Sequence, residues 1–145
     1  MSKQRFKLVP AVCIALRKDN KILLMKRHNT GWEDGKYALA GGGVDGEEAV
    51  LQAAVREAKE ELGITLNQND LKVVHVMHTK NEIEAVVFFV ETKNWHGEPK
   101  INEPHLCDDL QWFDFDNVPE NVTPPLKQFL ENFKVGKFYS ELGWD

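Results

Sequence analysis

Apolar residues come in short runs along the first third of the chain, and then change period. In "LVPAVCIALRKDNKILLMKR", residues 8–27, two such runs flank the turn pair Asp19-Asn20, which predicts two strands. "GWEDGKYALAGGGVDGEE", residues 31–48, is rich in glycine and reads as loop, with a short strand near Tyr37–Leu39. From Glu48 to Leu62 the period becomes helical. Leu51, Val55, Ala58 and Leu62 recur at spacings of four, three and four, an apolar stripe expected to face a core. Gly63 supplies the left-handed residue that closes such a helix, and Ile64 the contact after it. "LKVVHVMHT" and "IEAVVFFVET" are strand-like, rich in Val and Phe. "NWHGEPKINEPHLCDD" reads as a polar loop and "LQWFDF" as a short strand. Thr123 reads as an N-cap with Pro124 at the first helical position, and Leu126, Phe129, Leu130 and Phe133 share one face of the helix that follows. Strands on both sides of two helices predict an α/β fold, a mixed sheet with helices packed on its faces.

The totals narrow the class. The chain has 145 residues, enough for one domain, 1–145, with its own core. No apolar run approaches the ~20 residues that span a bilayer. The apolar patch near the N-terminus alternates like a strand and lacks a small-residue cleavage site, so a soluble cytoplasmic protein is expected, with no membrane partner. The net charge of −5 disfavours a nucleic-acid polymer as partner. It leaves room for a small anionic substrate, because a divalent cation reverses the local field. Cys13 and Cys107 have no metal-like spacing and are expected to be buried free thiols.

One stretch resists a purely structural reading. "REAKEELG", Arg56–Gly63, places Glu57, Glu60 and Glu61 within roughly a 100° arc of a helix, where like charges repel by a few tenths of a kcal/mol per pair. The wheel puts them opposite the apolar stripe, aimed away from the core. "LAGGGVDGEE" stands directly before the helix, and its glycines permit close backbone approach. Carboxylates beside such a loop form an oxygen-rich set that suits Mg²⁺, or Mn²⁺, bound together with substrate phosphates.

The spacing is more specific than the composition. From Gly42, five residues lead to Glu48 and seven more to Arg56-Glu57, followed by Ala58, Lys59, Glu60-Glu61, Leu62, Gly63 and Ile64. This resembles the Nudix box, G-x5-E-x7-R-E-U-x-E-E-x-G-U with U aliphatic. Ala58 is a small choice for the first U, and Ala40 stands where the family's preceding turn usually has proline. The resemblance implies a Nudix-type α/β/α sandwich and metal-dependent attack of water on a phosphoanhydride. It implies Glu57, Glu60 and Glu61 as catalytic metal ligands, the Gly41 carbonyl as a further ligand, and Glu48–Arg56 as a structural ion pair. Finer likenesses, "VVHVMH", "YSELGW" and "GEPKINEPHLC", resemble small MutT-like members, the last being similar to part of a thiopurine-nucleotide-hydrolysing Nudix enzyme. Gly43 departs from that subgroup, which usually has histidine there.

The expectation is therefore hydrolysis of a nucleoside triphosphate, ordinary or damaged, to a nucleoside monophosphate and pyrophosphate. The alternatives are a nucleotide sugar, ADP-ribose or another X-linked nucleoside diphosphate as substrate, or a sensor that binds without cleaving. Glu103 is the candidate remote acid, as metal ligand or base, with Glu98 competing. Lys26 and Arg27 should point to opposite faces of their strand, and Arg27 suits a phosphate. Trp32, Tyr37 and Phe88 are candidate stacking partners for a base. His75 and His78 should face opposite sides of one strand, with His78 able to reach a pocket. The aromatic end "KFYSELGWD" leaves a homodimer open.

Overall fold

The structure, a computed structural model, describes residues 4–145. Among these residues the order is β1 (Val9–Lys18), β2 (Lys21–Arg27), β3 (Tyr37–Ala38), β4 (Ala40–Gly43), α1 (Val50–Leu62), a 3₁₀ turn (Gln68–Asp70), β5 (Lys72–Lys80), β6 (Glu84–Thr92), β7 (Cys107–Asp114), α2 (Pro124–Lys134) and β8 (Tyr139–Leu142). The mixed sheet runs β3-β2-β1-β6-β5-β8, with β4 added to β1 and β7 to β2. β1 pairs in parallel with β6, and β5 in parallel with β8.

The period of two along the strands divides the core. Val12, Ile14, Leu16, Leu23 and Val90 meet Ala53, Ala54, Ala58 and Leu62 of α1 on one face. Ala15, Ile22, Leu24, Met77 and Phe89 meet Leu126, Phe129 and Leu130 of α2 on the other. This is the expected α/β/α arrangement of a sheet apolar on both faces.

Three local expectations need correction. The glycine triplet is strand, not loop: Ala40–Gly43 pairs antiparallel with Ala11–Ile14. Glycine is required at Gly41, where a Cβ would overlap the Val12 carbonyl oxygen. β7 begins at Cys107 inside the expected polar loop, because Cys107–Asp114 has a ladder partner in β2. α1 starts at Val50 rather than Glu48, since the Glu48 carboxylate is turned back to the Asp45 N–H. The aromatic end, for which the sequence predicted no element, is partly strand: Tyr139–Leu142 pairs with Val76–Thr79.

The wheel also misplaced the core of α1. Ala53, Ala54 and Ala58 are fully buried, while Leu51 and Val55 are only half-buried. Ala53 and Ala54 lie on the same side as Glu57 and Glu61. Alanine lets this side of the helix lie close to the sheet, so the carboxylate face is turned toward β4 rather than away from the core. α1 then closes as expected, at Gly63 in the left-handed conformation (φ 68°).

His75 and His78 do face opposite ways. His75 is fully buried between Phe89 and Phe129. Its ring nitrogens lie 2.9 Å from the Lys137 carbonyl and 2.8 Å from Ser140 Oγ. A carbonyl can only accept, so Nδ1 carries the proton and Nε2 accepts from the Ser140 hydroxyl. Burial lowers the pKa of His75. The unfolded chain then binds a proton that the folded chain refuses, so stability is lost as pH falls below the usual histidine value of about 6.5. Urea melts between pH 7.5 and 5.5 are expected to show this loss. In His75→Gln the slope should flatten, though the variant is less stable overall.

Candidate active site

Two cavities meet at the edge of β4. One, of about 400 Å³, is lined by Glu57, Glu60, Glu61 and Glu103 together with Gly41 and Arg27. The other, of about 510 Å³, is mainly apolar, with Cys13, Leu39, Val87, Phe89, Leu126 and Leu142 among its walls. Arg27, Ala38, Leu39 and Gly41 line both. A ligand with an anionic end and an apolar end can therefore lie across the strand.

The carboxylate wall is built by α1 and held by Arg56. Its guanidinium donates Nε to Glu48 Oε2 at 2.9 Å and Nη2 to Glu48 Oε1 at 2.8 Å. Nη2 also donates to the Gly43 carbonyl at 2.9 Å, tying β4 to the helix. Nη1 donates to Glu57 at 2.8 Å and to Glu60 at 3.2 Å. Five donors in a planar fork make this multiple grip specific to arginine. The paired guanidinium, and then the Asp45 N–H, hold the Glu48 carboxyl down at about 2.

Glu57 and Glu61 respond differently. Burial raises the pKa of Glu57, Arg56 opposes the rise, and the charges of Glu60 and Glu103 add to it. Burial pushes Glu61 up to about 8, helped by the charges of Glu57 and Glu103 and opposed by its hydrogen bond from the Gly41 N–H. That bond is 3.2 Å to Oε2. Gly41 thus presents its N–H to the carboxylate wall. Glu60 remains about half exposed.

Glu103 reaches the same wall because its loop is strapped to the end of α1. The Asn102 side-chain amide donates to the Glu60 carbonyl at 2.9 Å, its backbone N–H to the Glu61 carbonyl at 3.1 Å, and the Lys100 N–H to the Leu62 carbonyl at 3.1 Å. The last carbonyls of a helix lack partners within it, so the loop docks where acceptors are free. Glu98 lines neither cavity. Among the described residues, no three His, Cys, Asp or Glu side chains are drawn closely enough together to enclose a cation unaided.

The remaining candidates separate. Arg27 lines both cavities; its guanidinium donates to the Trp32 carbonyl at 2.7 Å and to Thr30 Oγ1 at 2.8 Å, and lies 4.8 Å from the Trp32 ring centre. Lys26, its neighbour, lines neither. Trp32, 41% exposed, stands at the mouth of the apolar cavity. Three candidates are not brought there. Tyr37 is core, edge-on to Phe113 with its hydroxyl on Asp109. Phe88 points to the opposite face from Val87 and Phe89, and it is Phe89 that lines the cavity. His78 lines neither cavity and packs instead on Trp144, 4.7 Å between ring centres. Cys13, expected to be buried, is half-buried where it lines the apolar cavity, and desolvation there pushes its thiol up to about 12.

Sequence reasoning missed Asn102, Phe89 and the far wall formed by Leu142 and Gly143. Strand alternation marks residues that share a face but not which face holds a cavity. The signal for Asn102 was faint, a polar side chain just before Glu103.

Comparison with known proteins agrees with this architecture. A model of the NUDIX domain matches residues 7–133, most of the chain. An ADP-ribose pyrophosphatase of Methanocaldococcus jannaschii is 34% identical over 125 residues, covering 83% of this chain and 71% of the relative. A CTP pyrophosphohydrolase of Escherichia coli is 31% identical over 90 residues, covering 62% of each chain. The crystal structure of a MutT NUDIX hydrolase from Burkholderia pseudomallei superposes with a TM-score of 0.81 at 31% identity, covering 87% of this chain and 98% of that one. The chain belongs to the Nudix family, as a MutT-like pyrophosphohydrolase.

Proposed function

We propose that the protein hydrolyses a nucleoside triphosphate, ordinary or damaged, to a nucleoside monophosphate and pyrophosphate, with Mg²⁺ or Mn²⁺ as cofactor. The observation that carries this reading is the pair of cavities joined at Gly41: carboxylates on one side, apolar walls on the other. The triphosphate would lie along α1 and the nucleoside among Phe89, Leu126 and Leu142. A water oxygen adds to phosphorus and the α–β phosphoanhydride bond breaks, giving nucleoside monophosphate and pyrophosphate.

The donor set fits a hard divalent cation. Glu57, Glu60, Glu61 and Glu103 offer carboxylate oxygens, and Mg²⁺ keeps several of its own waters, so the protein need not enclose it alone. Such a cation, when bound, supplies Lewis acidity toward phosphoryl oxygens and lowers the pKa of an attacking water. Glu57 and Glu61 are the principal holders in this reading. Glu103 is a holder or the base that takes the water's proton, and Arg27 carries a phosphate oxygen.

The name of the archaeal relative favours a second reading, in which the apolar cavity takes ADP-ribose or a nucleotide sugar. A panel of ordinary and oxidised nucleoside triphosphates, nucleotide sugars and ADP-ribose, with and without Mg²⁺, decides between them by ion-exchange separation of the products. Pyrophosphate released from a triphosphate supports the proposal. Cleavage of ADP-ribose or a nucleotide sugar alone replaces it with the second reading, and binding without cleavage would mean a sensor.

Gly42 gives a local test of Glu57. A Cβ there would lie 2.6 Å from Glu57 Oε1, the far end of a flexible side chain. Gly42→Ala is expected to swing that carboxylate aside and raise the Mg²⁺ concentration for half-maximal activity about tenfold, as losing an orienting neighbour of a metal site does. Melting temperature should change little. An unchanged Mg²⁺ requirement would remove Glu57 from the metal set.

A further inference from the structure

The C-terminal residues clasp the end of β5 from both faces. β8 is four residues long and joins the sheet at its edge, with Thr79↔Leu142 as the last paired position. Gly143 then turns the chain with φ 87°, so close to β5 that a Cβ would overlap the Lys80 carbonyl oxygen. Leu142 and Gly143 lie on the cavity side, where they line the apolar cavity together with Thr79, Lys80 and Asn81. Trp144 does not line it; it folds onto the other side of the same strand, against His78.

Three contacts fix Trp144 there. Its indole N–H donates to the His78 carbonyl at 3.2 Å. Its ring meets the His78 imidazole at 4.7 Å between centres. The Lys80 ammonium lies 5.0 Å from the ring centre, within cation–π range. Trp144 is thus held by an aromatic ring, a carbonyl and an ammonium, all from the end of β5. Among the described residues His78 Nε2 has no hydrogen-bond partner and lies 3.6 Å from Glu84, so the imidazole serves the clasp as a packing surface.

We propose that Trp144 is a positioning residue for substrate: it holds Leu142 and Gly143 as the wall of the apolar cavity and thereby sets the affinity for the nucleoside end. This rests on the reading in which that cavity receives the nucleoside. The triphosphate end, along α1, is out of the clasp's reach, so binding and chemistry should separate.

The test compares wild type, Trp144→Ala and Trp144→Phe on whichever panel substrate the wild type cleaves, with inorganic pyrophosphate plus Mg²⁺ as an inhibitor that needs only the carboxylate cavity. For Trp144→Ala, KM is expected to rise about tenfold with kcat nearly unchanged, the mark of lost uniform binding. Pyrophosphate inhibition should stay as in wild type. Trp144→Phe keeps the ring on His78 and Lys80 and should recover most of the affinity. An unchanged KM in folded Trp144→Ala, or a KM and a pyrophosphate inhibition constant that move together, overturns the proposal. A wild type that cleaves only a nucleotide sugar would sink the triphosphate reading and leave this comparison intact on that substrate. If it cleaves nothing, calorimetric titration with nucleoside monophosphates reads the same tenfold change.

Discussion

Glu61→Gln is expected to lower Mg²⁺-dependent turnover by about two to three orders of magnitude while making the metal-free protein more stable at alkaline pH. Both effects come from one carboxyl. Burial and the neighbouring charges of Glu57 and Glu103 raise Glu61 to about 8, against an ordinary value of 4.5. Between those two values the folded chain holds a proton that the unfolded chain has released. Stability of the metal-free protein therefore falls as pH rises through that window, by a few kcal/mol at most. A bound cation would offset the charge, and an amide removes it. Calorimetry in EDTA at pH 5 and at pH 8.5 should show wild type losing melting temperature between the two and Glu61→Gln losing less. The amide oxygen can still accept from the Gly41 N–H, so the variant should fold. Wild-type turnover by the variant in Mg²⁺ would remove Glu61 from the metal set, whatever the melts show.

That behaviour would explain why three like charges share one side of a helix. Glu57 and Glu61 are turned toward β4, and Glu60 stays about half exposed. The wheel aimed them outward because Leu51 and Val55 are larger than Ala53 and Ala54, and size was read as depth. In the folded chain the small residues are the deep ones, since they let α1 lie close to β4. β4 itself escaped notice because its glycines suit a loop; a ladder partner in β1, some thirty residues earlier, makes them strand. The spacing of Gly42, Glu48, Arg56, Glu57, Glu60 and Glu61 was legible because local helical geometry and one short turn fix it. Glu103 was legible only as a loop acid near a strand. What brings it to the carboxylates is Asn102 on the free carbonyls of α1, a contact across more than forty residues. The apolar cavity was least legible, because β1, β6, α2 and the end of β8 with Gly143 each supply a wall. Tyr37 and Phe88 are not placed at that cavity for that reason: their chemistry suits a base, but the fold turns one into the core and the other to the far face.

Arg56 carries the second large effect. Its fork spans Glu48, the Gly43 carbonyl, Glu57 and Glu60, so it joins β4 to α1 and aims two carboxylates of the proposed metal site. Lysine would keep the charge but cannot supply this planar set of donors. Arg56→Lys is therefore expected to lower kcat/KM by about 10–100-fold and to raise the Mg²⁺ requirement, the size seen when a residue that orients metal ligands is lost. Glu48 gives a separate readout. Its carboxyl is held at about 2 by Arg56 and the Asp45 N–H, against an ordinary 4.5, so the stability it contributes is present above 4.5 and lost as pH falls toward 2. In Arg56→Lys that acid-range loss should shrink, visible as a flatter dependence of melting temperature on pH below 4.5. If the variant keeps the wild-type Mg²⁺ requirement and loses only melting temperature, Arg56 braces β4 without aiming Glu57. Loss of both together is what the shared fork predicts, because one guanidinium holds Glu48 through Nε and Nη2 and Glu57 through Nη1.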